Sequence, residues 1–67
     1  MKLSSNFKHP QNLSFIIEED KNVGFYLYIY DSRGFNTHDY LQDSLEIAKE
    51  QALDDFGVPL DSWVQVE

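Results

Sequence analysis

The chain has no cysteine, three glycines, two prolines and only five basic residues against twelve acidic ones in 67 positions. Without cysteine there is neither a disulfide nor a thiolate zinc site. A single domain of this length buries a small share of its surface, and burial and conformational entropy come close to cancelling. Ten aromatic side chains offer compensation, because each buries a large area; dimerisation is another route. The glycines stand apart at 24, 34 and 57, so no glycine-rich phosphate loop exists. No apolar run approaches the roughly 20 residues that cross a bilayer. The opening Met1-Lys2-Leu3-Ser4-Ser5-Asn6-Phe7 lacks the apolar core of a signal peptide. These absences lead to the expectation of a cytoplasmic protein with no membrane contact.

Base is scarce where acid is dense. The formal charge is −7; residues 1–38 carry four acids and four bases, whereas residues 39–67 carry eight acids and only Lys49. Such a surface repels nucleic-acid phosphates and anionic lipid and attracts basic partners. The plain alternative is a solvated acidic face that keeps a small protein dissolved.

The remaining pattern is organised around Gly24-Phe25-Tyr26-Leu27-Tyr28-Ile29-Tyr30-Asp31. Phe25, Leu27 and Ile29 fall on one side and Tyr26, Tyr28 and Tyr30 on the other, a period of two that specifies a strand. A preceding strand covers Leu13–Glu18, with Leu13, Phe15 and Ile17 on one face. A loop of Asp20, Lys21 and Asn22, with Asn22 left-handed, sets Ile17 opposite Phe25 and Phe15 opposite Leu27. A second loop of Ser32, Arg33 and Gly34 sets Tyr30 opposite Asn36, Tyr28 opposite His38 and Tyr26 opposite Tyr40. The third strand, from Phe35 to about Tyr40, is polar enough for a sheet edge. Residues 1–11 read as a poorly ordered N-terminal arm with Phe7 as its docking residue.

A helix follows, with two competing starts: an Asp43/Glu46 capping box, or Ser44 one residue later. Gly57 supplies its left-handed stop and Pro59 prevents continuation. Leu45, Ala48, Ala52 and Phe56 form its apolar stripe, extended by Leu41 if a turn precedes the cap. Of the residues flanking the stripe, Ile47 is the one expected to be exposed. Trp63 reads as a core lid within a short final strand. The expected fold class is α+β: a three-stranded antiparallel sheet of two hairpins, one amphipathic helix on one face, and an optional C-terminal strand (β-β-β-α-β).

Chemistry is sparse. His38 and Asp39 are neighbours, but on a strand they point to opposite faces and cannot make the bond that orients a general base. No enzyme, cofactor or metal is expected. Only His9 and His38 could join carboxylates on zinc, and neither Glu18-Glu19-Asp20 nor Asp54-Asp55 has calcium-loop spacing. The feature left is the tyrosine side of the sheet. The expected register gathers Tyr26, Tyr28, Tyr30, His38 and Tyr40 there, with Asn36 and Ile16, as a candidate protein-contact face. His38 would make that contact pH-sensitive. Such a face could stack bases, but the charge disfavours nucleic acid. Tyrosine is also enriched at protein interfaces, and plain cross-strand packing is the simplest account of it. Asp43, Glu46, Glu50 and Asp54 form a second candidate, an acidic contact face on the helix. Two functions follow: a module that binds a basic protein, or a structural domain that homodimerises through its tyrosines.

The run Asp43-Ser44-Leu45-Glu46-Ile47-Ala48-Lys49-Glu50-Gln51-Ala52, continued by Asp55-Phe56-Gly57-Val58 and Trp63, resembles a set of short, acidic, uncharacterised bacterial proteins. In these a Ser/Thr-Leu-Glu-x-Ala-Lys-x-Gln-Ala helix leads into Phe/Tyr-Gly-Ile/Val and a tryptophan. The likeness spans roughly residues 24–63 and implies no activity. It departs at Ile47, where those proteins often carry a second acid. The strand–strand–strand–helix order also resembles HicB-type antitoxin domains, which would imply an antitoxin-like role; an immunity-like neutraliser of a basic protein is the matching expectation from the segregated charge and the tyrosine face. Residues 58–67 are not expected to form a DNA-binding segment, and fold alone is a poor guide to function.

Overall fold

Turn chemistry and period-two patterning lay down more sheet than the hydrophobic runs alone indicate. The computed structural model describes all of residues 1–67. In chain order it has β1 (Lys2–Ser5), β2 (Ser14–Asp20), β3 (Gly24–Tyr30), β4 (Asn36–Gln42), α1 (Leu45–Phe56), a 3-10 turn (Leu60–Ser62) and β5 (Trp63–Gln65). The class is α+β, with one helix and an antiparallel sheet. That sheet has five strands in the order β4-β3-β2-β1-β5, not three.

The extra strand comes from the segment expected to be a poorly ordered arm. Lys2–Ser5 lies between β2 and β5, with Leu3 opposite both Ile17 and Gln65. Leu3 is buried in the core, and Phe7 packs against it. Polar residues did not prevent this, because β1 needs only one buried side chain and its own amides. Serine hydroxyls secure the junction. The Ser62 Oγ donates to the Pro59 carbonyl at 2.7 Å and lies 2.8 Å from Ser5 Oγ, which accepts from the Phe7 amide. The Cα radius of gyration is 10.9 Å, about what a fully folded chain of this length should have. A detached arm would raise it.

The β2–β3 hairpin keeps the expected faces but shifts by two residues. Ile17 pairs with Leu27 and Phe15 with Ile29. Because the slip is even, both strands keep their faces, although Phe25 now lies opposite Glu19 and Leu13 falls outside the ladder. The turn is Lys21-Asn22-Val23. Asp20 Oδ1 accepts from the Asn22 amide at 3.0 Å, and Asn22 is not left-handed; the only non-glycine residue with positive φ is Asn12.

The second hairpin carries the change that matters for the site. Its turn forms as expected: Gly34 is left-handed at φ 85°, and Asp31 Oδ1 accepts from the amides of Arg33 and Phe35. Tyr30 pairs with Asn36, also as expected. A bulge then follows, so that Ile29 pairs with His38, Tyr28 with Asp39, Leu27 with Tyr40 and Tyr26 with Leu41. The side-chain amide of Asn36 donates to the carbonyls of Ile29 and His38, and the Thr37 hydroxyl donates to Ile29. These polar groups satisfy the carbonyls that an irregular ladder would leave unpaired. The one-residue slip exchanges the two faces of the rest of β4.

Ser44, rather than Asp43, caps the helix, and accepts from the Ile47 amide at 3.2 Å. Gly57 at φ 76° ends it, donating to carbonyls of the last turn. Leu41 belongs to β4 instead of lengthening the helical stripe. Ala48 and Ala52 are fully buried, and their small size brings α1 close to the sheet. The core comprises Leu3, Phe15, Ile17, Leu27, Ile29, Ala48, Ala52 and Val58, with Trp63, Leu45 and Phe56 half-buried against it. Full burial of a large aliphatic side chain contributes about 1.5–3 kcal/mol.

Candidate functional site

α1 packs over one face of β2, β3 and β4. The opposite face is bare from edge to edge. Registers place its side chains in rows: Asn36, Tyr30 and Ser14; Asp39, Tyr28, Ile16, Ser4 and Val64; Leu41, Tyr26, Glu18 and Lys2. Tyr26, Tyr28, Tyr30 and Ile16 are half-buried by their neighbours alone, while Leu41 and Val64 are about half exposed, at 49% and 51%. The Tyr26 and Tyr28 rings stack at 5.5 Å and 13°, and Tyr30 continues the ladder at 6.5 Å from Tyr28.

Three of the five residues expected on the contact face are therefore there. His38 and Tyr40 are not: the bulge turns them to the helix side. Their rings stack at 5.9 Å, and His38 meets Phe56 edge-on at 5.8 Å. The histidine that was to make the tyrosine contact pH-sensitive is thus on the other side of the sheet. Asp39 and Leu41 take the vacated places. A signal for this was present. A regular ladder would have put the Asp39 carboxylate beneath the helix, where an unpaired charge is costly, whereas Tyr40 and Gln42 suit that side. There Gln42 donates its side-chain amide to Gln51 of α1 at 2.6 Å.

The electrostatics of the bare face are one-sided. Lys2 stands across from Glu18 in the ladder, yet its ammonium lies 3.7 Å from Glu67 instead. Neither Glu18 nor Asp39 has an ion-pair partner; the three ion pairs are Met1–Glu19, Lys2–Glu67 and Arg33–Asp31. Partial burial, then the nearby Glu18 carboxylate, the neighbouring tyrosines and Asp39, raise the Tyr28 phenol above its ordinary value. Glu18, Glu19, Asp20 and Lys21 with Tyr26 and Tyr28 line an open depression of about 320 Å³.

The expected acidic helix face is exposed throughout, at Asp43, Glu46, Glu50 and Asp54, and none of the four is ion-paired. Glu46 lies in the first turn, where the helix dipole favours a carboxylate. Asp54 and Asp55 lie in the last turn, which has no base, so the dipole opposes them.

One cluster was not anticipated. His9, in the loop between β1 and β2, packs on Phe7, Phe15 and Phe56 at 5.7–6.5 Å. His9 and His38 thus flank Phe56 at the end of α1. His9 Nδ1 accepts from the Gln11 amide, so this imidazole is a wall of the loop. No three or more histidine or acidic side chains gather in metal-binding geometry. No helix is long and apolar enough to cross a membrane. Comparison with protein families, with curated proteins and with solved structures finds no match to this chain.

Proposed function

We propose that the protein is a non-catalytic binding module whose bare sheet face contacts a basic protein partner, in the manner of a small antitoxin or immunity protein. One observation carries this: a contiguous row of half-buried tyrosines is bordered by two carboxylates, Glu18 and Asp39, that have no cation of their own. An aromatic face of this kind marks contact sites on small proteins. Unpaired carboxylates around it favour a partner that brings lysine or arginine, through charge-assisted bonds and cation–π stacking. The same charge disfavours nucleic acid and anionic lipid. The absence of cysteine fits a reducing compartment, and the proposal places the protein in the cytoplasm.

Capture from lysate at low and high salt tests it, with the wild type, a Tyr26→Ser/Tyr28→Ser double variant and a Glu46→Gln/Glu50→Gln double variant as baits. The expected result is a basic partner held at low salt, weakened at high salt, lost with the tyrosines and kept with the helix variant. Capture that ignores both salt and the tyrosines would defeat the proposal. Self-association through the same face is the competing function, supported by the exposed Leu41, Val64 and Val66. Sedimentation over a dilution series separates it: a strict monomer at high concentration removes it.

A further inference from the structure

The edge of the sheet at β4 is open, and the ladder tells which of its backbone groups are free. The Ile29 carbonyl takes donors from Asn36 and Thr37, so Ile29 turns its peptide groups toward β4. The Glu19 amide bonds the Met1 carbonyl on β2's other side, which agrees with this phase. By the alternation of an antiparallel ladder, Leu27 and Phe25 also face β4, so that Ile29, Leu27 and Phe25 are directed at their partners His38, Tyr40 and Gln42. Asp39 and Leu41 then direct their amides and carbonyls outward, with no strand beyond them. Natural edges are blunted by lysine, proline, bulges or shortness. β4 has seven residues, no lysine and no proline; its bulge protects only the Asn36 end.

Both sides of this edge suit a basic segment. On the bare face, the outermost residues are Asp39, without an ion-pair partner, and Leu41. On the helix side, the Gln42–Gln51 bond ties β4 to the flank of α1 that carries Asp55 and Ile47, and Gln51 donates on to Asp55 at 3.5 Å. Ile47 is 43% exposed there. Strands lie about 4.8 Å apart, so an added strand would run beneath this flank. We propose that β4 accepts an extended segment of the partner, alternating basic and apolar residues, as a sixth strand. A second copy of this chain fits worse, because residues 36–56, from β4 to the end of α1, carry six acids and one base, and pairing two such edges would bring the two acidic helices together.

The proposal rests on the partner being a basic protein, and its test is arranged to fail separately. The probes are two capped octapeptides, one alternating lysine and valine, the other glutamate and valine, added at low salt to the ¹⁵N-labelled 67-residue chain. The expected result with the lysine peptide is a shift of the Asp39 and Leu41 amides and at least a tenfold slowing of their hydrogen exchange; the glutamate peptide does neither. Asp39→Lys should weaken the lysine peptide several-fold, in line with opposite-charge cross-strand pairs. A synthetic chain N-methylated at Leu41 keeps every charge but loses one outward donor, and should weaken it several-fold too. Strand addition is overturned if the lysine peptide moves nothing, or if N-methylation leaves its affinity unchanged. It is also overturned if that peptide moves only Tyr26, Tyr28 and Tyr30, an outcome that leaves the sheet-face proposal standing.

Discussion

Leu27 and Tyr28 are adjacent in sequence and opposite in role, and the pair of substitutions Leu27→Ala and Tyr28→Ser measures the two faces of the sheet. Leu27 is fully buried on a strand with a neighbour on each side, beneath α1, among Ile17, Ile29, Ala48 and Ala52. Truncating it removes three carbons and leaves a cavity that the sheet cannot collapse into, at a cost of about 2–5 kcal/mol. Tyr28 loses only cross-strand contacts and ring stacking, about 0.5–1.5 kcal/mol. A domain of this size has only a few kcal/mol in hand. Each kcal/mol lowers its melting temperature by about 4–8 °C, so Leu27→Ala should lower it by at least ~8 °C or unfold the chain, and Tyr28→Ser by about 2–12 °C. Circular dichroism with heating and urea reads both. A Leu27→Ala cost below about 1 kcal/mol, or a larger cost at Tyr28, would mean that the covered and bare faces had been exchanged.

Three further outcomes are expected. Gly24 has φ 138°, and a Cβ there would collide with the Gln42 carbonyl, so Gly24→Ala should cost about 1–3 kcal/mol; an unchanged urea midpoint would contradict the β3–β4 register. The Asp31 carboxyl sits below its ordinary range, chiefly through the bond from the Phe35 amide and then through that from Arg33 and its charge. Its folded value being the lower one, this contribution is present above the unfolded value and disappears as pH falls through the folded value; Asp31→Asn should flatten the acid limb of the stability profile, and an identical limb would refute it. Asp54→Lys should stabilise the isolated protein by about 0.3–1 kcal/mol, by removing a carboxylate from the negative end of the helix; a loss of stability would show that Asp54 makes a contact of its own.

How much was legible in sequence varies with the kind of signal. The helix was legible because a stripe of period 3.6 lay between a Ser44 cap and a Gly57 stop, both local devices. β3 was legible from alternation alone. β1 was not, because Leu3 is its only fully buried side chain and its pairing with β2 and β5 joins residues more than ten and more than fifty positions apart. The shift of the first hairpin was silent, since any even slip preserves the faces. The bulge in β4 decided the site and was half legible. Asn36 and Thr37 are the side chains that can bond stray carbonyls, and Asp39 is a residue that should not lie under a helix. With the bulge, Tyr26, Tyr28 and Tyr30 keep the places that alternation gave them, while His38 and Tyr40 join the core side.

The central claim is that the bare tyrosine face is the contact surface, and that the acidic helix is not. The most direct measurement is a shift map of the full chain, ¹⁵N-labelled and with tyrosine rings ¹³C-labelled, titrated with the basic partner recovered at low salt. The tyrosine-face account predicts shifts at the rings of Tyr26, Tyr28 and Tyr30 and at the amides of Ile16, Glu18 and Asp39, with Glu46 and Glu50 unmoved. Shifts centred on Glu46 and Glu50 with still tyrosine rings would contradict it, and would make the aromatic ladder a matter of sheet packing alone.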